Sequence, residues 1–422
     1  MRRLDIYVEI SGIKRLCGYI EGNSHIDSSF SYDRDYMDSD YGRAISIMLP
    51  FQDEPFSSNI TRNFFEGLLP EGFSRRAVAN WLKADENDYL AILEGLGKEC
   101  LGAIMISDGK SEMASHYEKL GLNRVKELAA EGATKSTQLL METHLSLTGA
   151  SGKAGLYYDE KDNNWYLPTG NAPSTHIVKL SHVRLNHIVL NEQLCVLTAR
   201  NCGIEVPDSF IVNLGNAEDN EVLYATRRYD RCMSKDIVVD GLICPYRLHQ
   251  EDFSQALGIG AAEKYEKRPS GYLKRMFETV RKYSSNPLED QKQLLEIIVF
   301  DYFIGNTDCH IKNYSLLYSE DLKRIRLAPA YDIVSTRVYN LTKEMSFFIG
   351  GELDITRLTR DTFGNLSDEI GIGKKQILSI YDDIADKFEN SLETAASELV
   401  FRGFSHAKDL KEKIVYLNKQ AL

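Results

Sequence analysis

Residues 304–313 read Ile-Gly-Asn-Thr-Asp-Cys-His-Ile-Lys-Asn, and Asp332 stands nineteen residues beyond Asn313, inside Ala330-Tyr331-Asp332-Ile333. Asp308 and Asn313 have the D-x-x-x-x-N spacing of a kinase catalytic loop. Phosphoryl transfer needs both groups. A carboxylate must orient the attacking hydroxyl and take its proton. An amide oxygen five residues on can hold a magnesium ion without adding charge. A second carboxylate then bridges metal and phosphates, and Asp332 is spaced for that task. Between Asn313 and Asp332 lie two short apolar runs, Tyr314–Tyr318 and Ile325–Ala328, separated by Ser319-Glu320-Asp321. That pattern predicts a β-hairpin, which would fold Asp332 back beside Asn313. Taken alone the spacing is common, and the plain alternative is an aspartate that caps a loop.

Upstream, Ser174-Thr-His-Ile-Val-Lys-Leu180 places Lys179 in a strand-like run. It resembles the V-A-I-K strand of kinases, whose lysine holds the α/β-phosphates. The plain alternative is an edge-strand lysine with its amine in solvent. Before it comes Ser146-Leu-Thr-Gly-Ala-Ser-Gly-Lys-Ala-Gly155, rich in small residues that let backbone N–H groups approach phosphate. It is not a Walker A loop: Gly149 and Gly152 are too close together, and Ala154 follows the lysine.

These pieces together resemble the HipA family of serine/threonine kinases, the toxin half of bacterial toxin–antitoxin pairs. The resemblance runs in order through Phe64-Phe65-Glu66-Gly67-Leu68-Leu69-Pro70-Glu71-Gly72, Ser146–Lys153 and Ser174–Leu180. It continues through Asn191-Glu192, Gly203–Pro207, Arg228-Tyr-Asp-Arg231, Arg247-Leu-His-Gln-Glu-Asp252, residues 305–315 and Ala328–Asp332. It implies an α+β, protein-kinase-like bilobal fold. A small N-terminal α/β subdomain would span 1–110, the kinase N-lobe 111–229, and a mainly helical C-lobe 230–422.

By the same resemblance Asp308 is the catalytic aspartate, and Asn313 and Asp332 are magnesium ligands. ATP would be held by Gly149, Ala150, Ser151, Gly152, Lys153, Lys179, Tyr229, His310 and Lys312. Ser146 aligns with a serine that family members autophosphorylate, with Arg227, Arg228 and Arg231 as cations that could receive the phosphate. The implied cofactors are ATP and Mg2+. The implied partners are a HipB-like helix-turn-helix antitoxin and a protein substrate such as an aminoacyl-tRNA synthetase, glutamyl-tRNA synthetase first among them. Two departures stand out. The family loop is closer to A-G-A-Q-[ED]-K, whereas here Ser151 and Gly152 replace the longer polar and acidic residues. That makes Thr148 and Ser151 rival phosphoacceptors. Arg227 also stands where the family has acidic residues.

Composition agrees with a soluble enzyme. The 422 residues carry a net charge of −12. So acidic a chain is a poor general binder of nucleic acid, and any DNA contact is expected through the partner. Seven scattered cysteines with no C-x-x-C pair suggest free thiols in a reducing cytoplasm. No apolar run approaches the ~20 residues of a membrane span. Leu4–Ile10 and the run from Ile13 alternate around Ser11-Gly12 as a hairpin; 62–82 is helical with a break at Pro70-Glu-Gly72; 100–107 is strand-like. Residues 108–137 read as a polar, helix-prone connector, and the chain from Asp230 onward as helix-rich. Asp252-Phe-Ser-Gln255 carries a helix-capping signature.

Two other functions stay open on sequence alone. One is a small-molecule phosphotransferase of the aminoglycoside-kinase type. The other is a nucleotide-binding pseudokinase that acts as a corepressor.

Overall fold

The computed structural model describes residues 2–97, 100–109, 114–121, 123–125, 153–180, 185–213 and 222–419. They fall into two compact units, one of 1–182, 225–261 and 317–325, the other of 183–224, 262–316 and 326–422.

In the first unit the alternation of Leu4–Ile10 works as read. Ile6 and Val8 are fully buried on one face of the strand Arg2–Ile10. Ser11 and Gly12 both take positive φ (49° and 77°), the turn that matches strand twist, and Ile10 pairs with Ile13. The sheet order is Ser29–Tyr32, Ile13–Gly22, Arg2–Ile10, Ile104–Ser107. Helix Ser58–Glu66 ends before Pro70 and a new helix runs Gly72–Leu82, as the Pro-Glu-Gly break implied. Phe64 and Phe65 from the first of these, with Leu93 of Tyr89–Leu96, fill the core beneath the sheet.

A second sheet orders His116–Lys119, Asn164–Thr169, Lys153–Asp159 and His176–Leu180, and then Ala225–Arg227 from the end of strand Val222–Arg227. The reading of 108–137 as helix-prone fails at His116–Lys119. Tyr117 is buried there against the Tyr157 ring (4.6 Å), and that packing overrides local propensity. Much of the remaining connector lies outside the described residues. The reading of a helix-rich chain from Asp230 also fails at first. Arg231–Val239 and Leu242–Arg247 form a hairpin around Asp240-Gly241, both at positive φ (49° and 81°). Asp-Gly between apolar runs is the strongest short hairpin signal, and here it outweighs the helical drift of the following sequence. Asp252 does cap a helix, Phe253–Ala256, with the reciprocal Gln255 contact expected of a capping box.

The second unit is mainly helical. Pro287 opens helix Pro287–Ile304, where its missing N–H is harmless, and Glu289 and Asp290 occupy the positive first turn. Gly305 ends the helix at φ +74°, and a Cβ there would crowd the Arg337 side chain at 3.3 Å. Phe300 and Phe303 of this helix pack on Phe388 and Tyr381 of Lys374–Phe401. That long helix buries Ile377, Ile380, Tyr381, Ile384 and Phe388, apolar residues spaced three and four apart along one face. Helix Ile188–Asn201 packs against it as well.

The expected hairpin forms as Ser315–Tyr318 and Ile325–Leu327. Its return strand is anchored by buried Asp290, which accepts from Arg326 Nε (2.9 Å) and the Leu327 N–H (2.9 Å). Among the described residues no helix is long and apolar enough to cross a membrane. All seven cysteines are unbridged.

Candidate active site

Asp301 is a charged residue in the apolar last turns of helix Pro287–Ile304, and it is 2% exposed. Its Oδ1 accepts from Asn306 Nδ2 (2.8 Å) and its Oδ2 from the Tyr314 hydroxyl (2.7 Å). Asn306 in turn accepts the Asp308 N–H through Oδ1 (3.1 Å). The stretch from Gly305 to Tyr314 is therefore strung around one buried carboxylate. Burial pushes the Asp301 carboxyl up to about 7, against the pull of those two hydrogen bonds. Burial also raises the Tyr314 phenol well above its ordinary range, so it remains a donor.

Other bonds fix the loop from the sides. The Thr307 N–H reaches Thr336 Oγ1 (2.7 Å), and Ser346 Oγ donates to the Thr307 carbonyl (2.8 Å). The His310 N–H donates to the Asp308 carbonyl (2.9 Å), and the Asn313 N–H to that of His310 (2.7 Å). Asn313 Nδ2 also donates to the Asp308 carbonyl at 2.8 Å. That bond assigns the amide: nitrogen faces the loop and oxygen is the end left to accept a cation.

Asp332 adopts φ +57°, a left-handed backbone that aspartate tolerates better than most residues. It is held there by its neighbour. The Tyr331 hydroxyl donates to the Lys312 carbonyl (2.9 Å) and lies 2.6 Å from Ser315 Oγ. The residue before Asp332 is thus stapled to both flanks of Asn313. Asp308 is exposed, Asn313 and Asp332 are half-buried, and His310 and Lys312 are buried. The His310 ring meets the edge of Tyr265 at 5.2 Å and 83°. One carboxylate and one amide oxygen are a fitting donor set for magnesium, whose shell is usually completed by phosphates and water. Among the described residues no cluster of three or more His, Cys, Asp or Glu could hold a metal alone.

In the first unit Lys179 is 7% exposed on an inner strand, so its amine is not simply in solvent. Lys153 stands directly opposite it in the antiparallel register. Paired residues share a face of the sheet. Tyr229 is half-buried, its hydroxyl bonded to Gln250 Oε1. Ser146, Thr148, Gly149, Ala150, Ser151 and Gly152 lie outside the described residues.

Residues 145–392 match the family model described as the HipA-like C-terminal domain, and 8–107 match the HipA N-terminal domain. The chain belongs to the HipA family. A putative kinase of Sinorhizobium fredii, Y4mE, is 29% identical over 394 residues, which is 90% of each chain. The serine/threonine-protein kinase toxin HipA of Shewanella oneidensis is 24% identical over 375 residues, 86% of this chain and 82% of the other. A chain from the solved Shewanella oneidensis complex of HipA, HipB and operator DNA has a TM-score of 0.77 at 20% identity. It covers 99% of this chain and 97% of that one, and shares its fold.

Two features of this HipA-family chain depart from the sequence reading. Arg228 and Arg231 are not available as phosphate-receiving cations. Both are buried on Asp230, with Arg228 Nη2 2.7 Å and Arg231 Nη1 3.0 Å from Oδ2. Their charges hold the Asp230 carboxyl well below the usual carboxylate range, against the effect of burial. Arg227 is exposed, and Glu160, also exposed, lies 3.8 Å from it. Second, Asp301 and Tyr265 were not singled out. Asp301 could have been found as a lone acid in the apolar run Ile297–Ile304. Tyr265 carries no such signal, because only the fold brings it to the loop of Asp308.

Proposed function

We propose that this HipA-family protein is an ATP- and Mg2+-dependent serine/threonine protein kinase of the toxin type, with a kinase-like bilobal fold. One observation carries the reading: Tyr331 staples the Asp332 segment to the carbonyl of Lys312 and the hydroxyl of Ser315, on both sides of Asn313. A hairpin whose role was only structural would not need its far end tied to the loop that holds Asp308.

In this reading Asp308 accepts the proton of the attacking hydroxyl. The hydroxyl oxygen bonds to the γ-phosphorus as the bond to the bridging oxygen breaks, and ADP leaves. Asn313 and Asp332 would hold the magnesium, which when bound neutralises charge on the phosphates. Lys153 and Lys179 hold phosphate oxygens, with the backbone of 149–152 over them, and Tyr229 lies beside the adenine. His310 and Lys312 shape the catalytic loop or contact phosphate.

Ser146 is the proposed autophosphorylation site. A phosphoserine adds about −1.5 to −2 charge, and Arg227 is the accessible cation to receive it. The proposed partner is a small HipB-like helix-turn-helix antitoxin, through which the acidic chain would reach DNA. The proposed target is an aminoacyl-tRNA synthetase, whose modification would halt translation.

Transfer of label from γ-labelled ATP tests the core of the proposal. Wild type should label itself on Ser146 and slow bacterial growth when expressed alone. Asp308→Gln should do neither. Equal toxicity of the two would point to sequestration of a partner. Label on a small-molecule acceptor in preference to protein would point to the aminoglycoside-kinase type.

A further inference from the structure

Tyr265 lies more than forty residues before the catalytic loop, in a segment without sequence features of its own. Its phenol hydroxyl donates to Asp308 Oδ1 at 2.5 Å. Its ring stands edge-on to His310, and the side chain is 40% exposed, at the rim of the site.

The segment carrying it is fastened to the loop it serves. The Glu266 N–H donates to the Ser346 carbonyl (2.8 Å). The buried Glu266 carboxylate accepts from the N–H groups of Ser270 (2.6 Å), Tyr272 (3.2 Å) and Phe348 (3.0 Å). Ser346, on the same strand as Phe348, donates its hydroxyl to the Thr307 carbonyl, one residue before Asp308. Tyr265 and Asp308 are thus set against each other through a closed circuit of hydrogen bonds. The bond between them belongs to the fold and is not a chance surface contact.

We propose that Tyr265 is a positioning residue for Asp308: its hydroxyl holds one carboxylate oxygen and turns the other toward the incoming hydroxyl. The inference rests on Asp308 being the phosphoryl-transfer base. Transfer needs one carboxylate oxygen aimed at the attacking hydroxyl, and each other orientation is an unproductive encounter. A donor fixed at the second oxygen favours the productive one.

The test is Tyr265→Phe in the full chain, with kcat and KM for ATP measured in phosphoryl transfer. Hydrogen bonds to charged groups are strong enough that kcat should fall about tenfold or more. KM for ATP should stay within about twofold and the melting temperature within a few degrees, because the side chain is partly exposed. Tyr265→Lys, whose ammonium reaches nearly as far as the phenol and can donate to the same oxygen, should restore much of the lost kcat.

An unchanged kcat in Tyr265→Phe, with Asp308→Asn inactive, overturns this inference and leaves the kinase assignment standing. A faster Tyr265→Phe also overturns it, because the phenol would then be competing with the acceptor. Full activity in Asp308→Asn defeats the kinase assignment itself.

Discussion

Asp230 and Asp308 each sit at the centre of a short charged motif, and the fold treats them in opposite ways. Asp230 is buried and surrounded by Arg228, Arg231, Gln250 and the Gly102 N–H. Asp308 is exposed, fixed through its backbone by Asn306 and approached at its carboxylate by Tyr265. The first carboxylate is spent on holding the first unit together. The second is held through its loop and left at the surface. Motif membership alone does not separate the two, but the burial of the carboxylate does.

The comparison breaks most visibly at Asp230. Asp230→Ala leaves two buried guanidinium groups without their counter-charge, a loss of about 3–5 kcal/mol. A large fall in melting temperature or an insoluble product is expected. Asp308→Asn should melt within a few degrees of wild type. Equal thermal losses in the two variants would erase the distinction.

Next in size is a pH effect. Glu251 is buried with Ser46 Oγ (2.6 Å), the Ile47 N–H (3.1 Å) and the Tyr318 hydroxyl, and burial pushes its carboxyl up to about 7. A raised carboxyl favours the folded state while it is protonated. Its contribution is complete below the unfolded value of 4.5 and is lost as pH rises through about 7. The shift corresponds to about 3 kcal/mol at ~1.4 kcal/mol per unit. Asp301 has the same sign. Between pH 5 and 8 the wild-type melting temperature should fall, and Glu251→Gln should flatten that slope. An unchanged slope in the variant would remove Glu251 as its source.

Asn306→Ala sits between the two regions in kind, because it serves both fold and site. It strips a donor from Asp301 and an acceptor from the Asp308 N–H. About 1–3 kcal/mol of stability should be lost, and kcat should fall more than KM for ATP changes. A variant with lowered stability and unchanged kcat would make the Asp301 network a packing device only. The smallest effect is expected at the exposed pair Arg360 and Asp382, whose bidentate bonds of 2.6 Å lie in solvent. Arg360→Ala should cost less than about 1 kcal/mol in a melt. A larger loss would mean that surface pairs carry part of this fold.

Much of this was legible in the sequence because it rests on local rules. Ser11-Gly12, Pro287, Gly305 and the Asp252–Gln255 pair each announce a backbone geometry within a few residues. The hairpin that returns Asp332 could be read from two apolar runs and a polar turn. The Asp240-Gly241 hairpin is equally local, a turn signal set at the head of a stretch whose wider composition is helical. His116–Lys119 is a strand only because Tyr117 finds Tyr157, which local sequence does not encode. The burial of Arg228 and Arg231, the Asp301 network and the bond from Tyr265 all join residues distant in the chain or in context. No spacing rule contains them.

The most direct measurement of the central claim compares nucleotide binding with phosphoryl transfer in two variants. Asp308→Asn should bind ATP in the presence of magnesium as wild type does, and transfer phosphate at least ~10²-fold more slowly. Asp332→Asn should lose the magnesium-dependent part of binding itself. Wild-type transfer rates in Asp308→Asn, or unaltered magnesium-dependent binding in Asp332→Asn, would contradict the assignment of base and metal ligand.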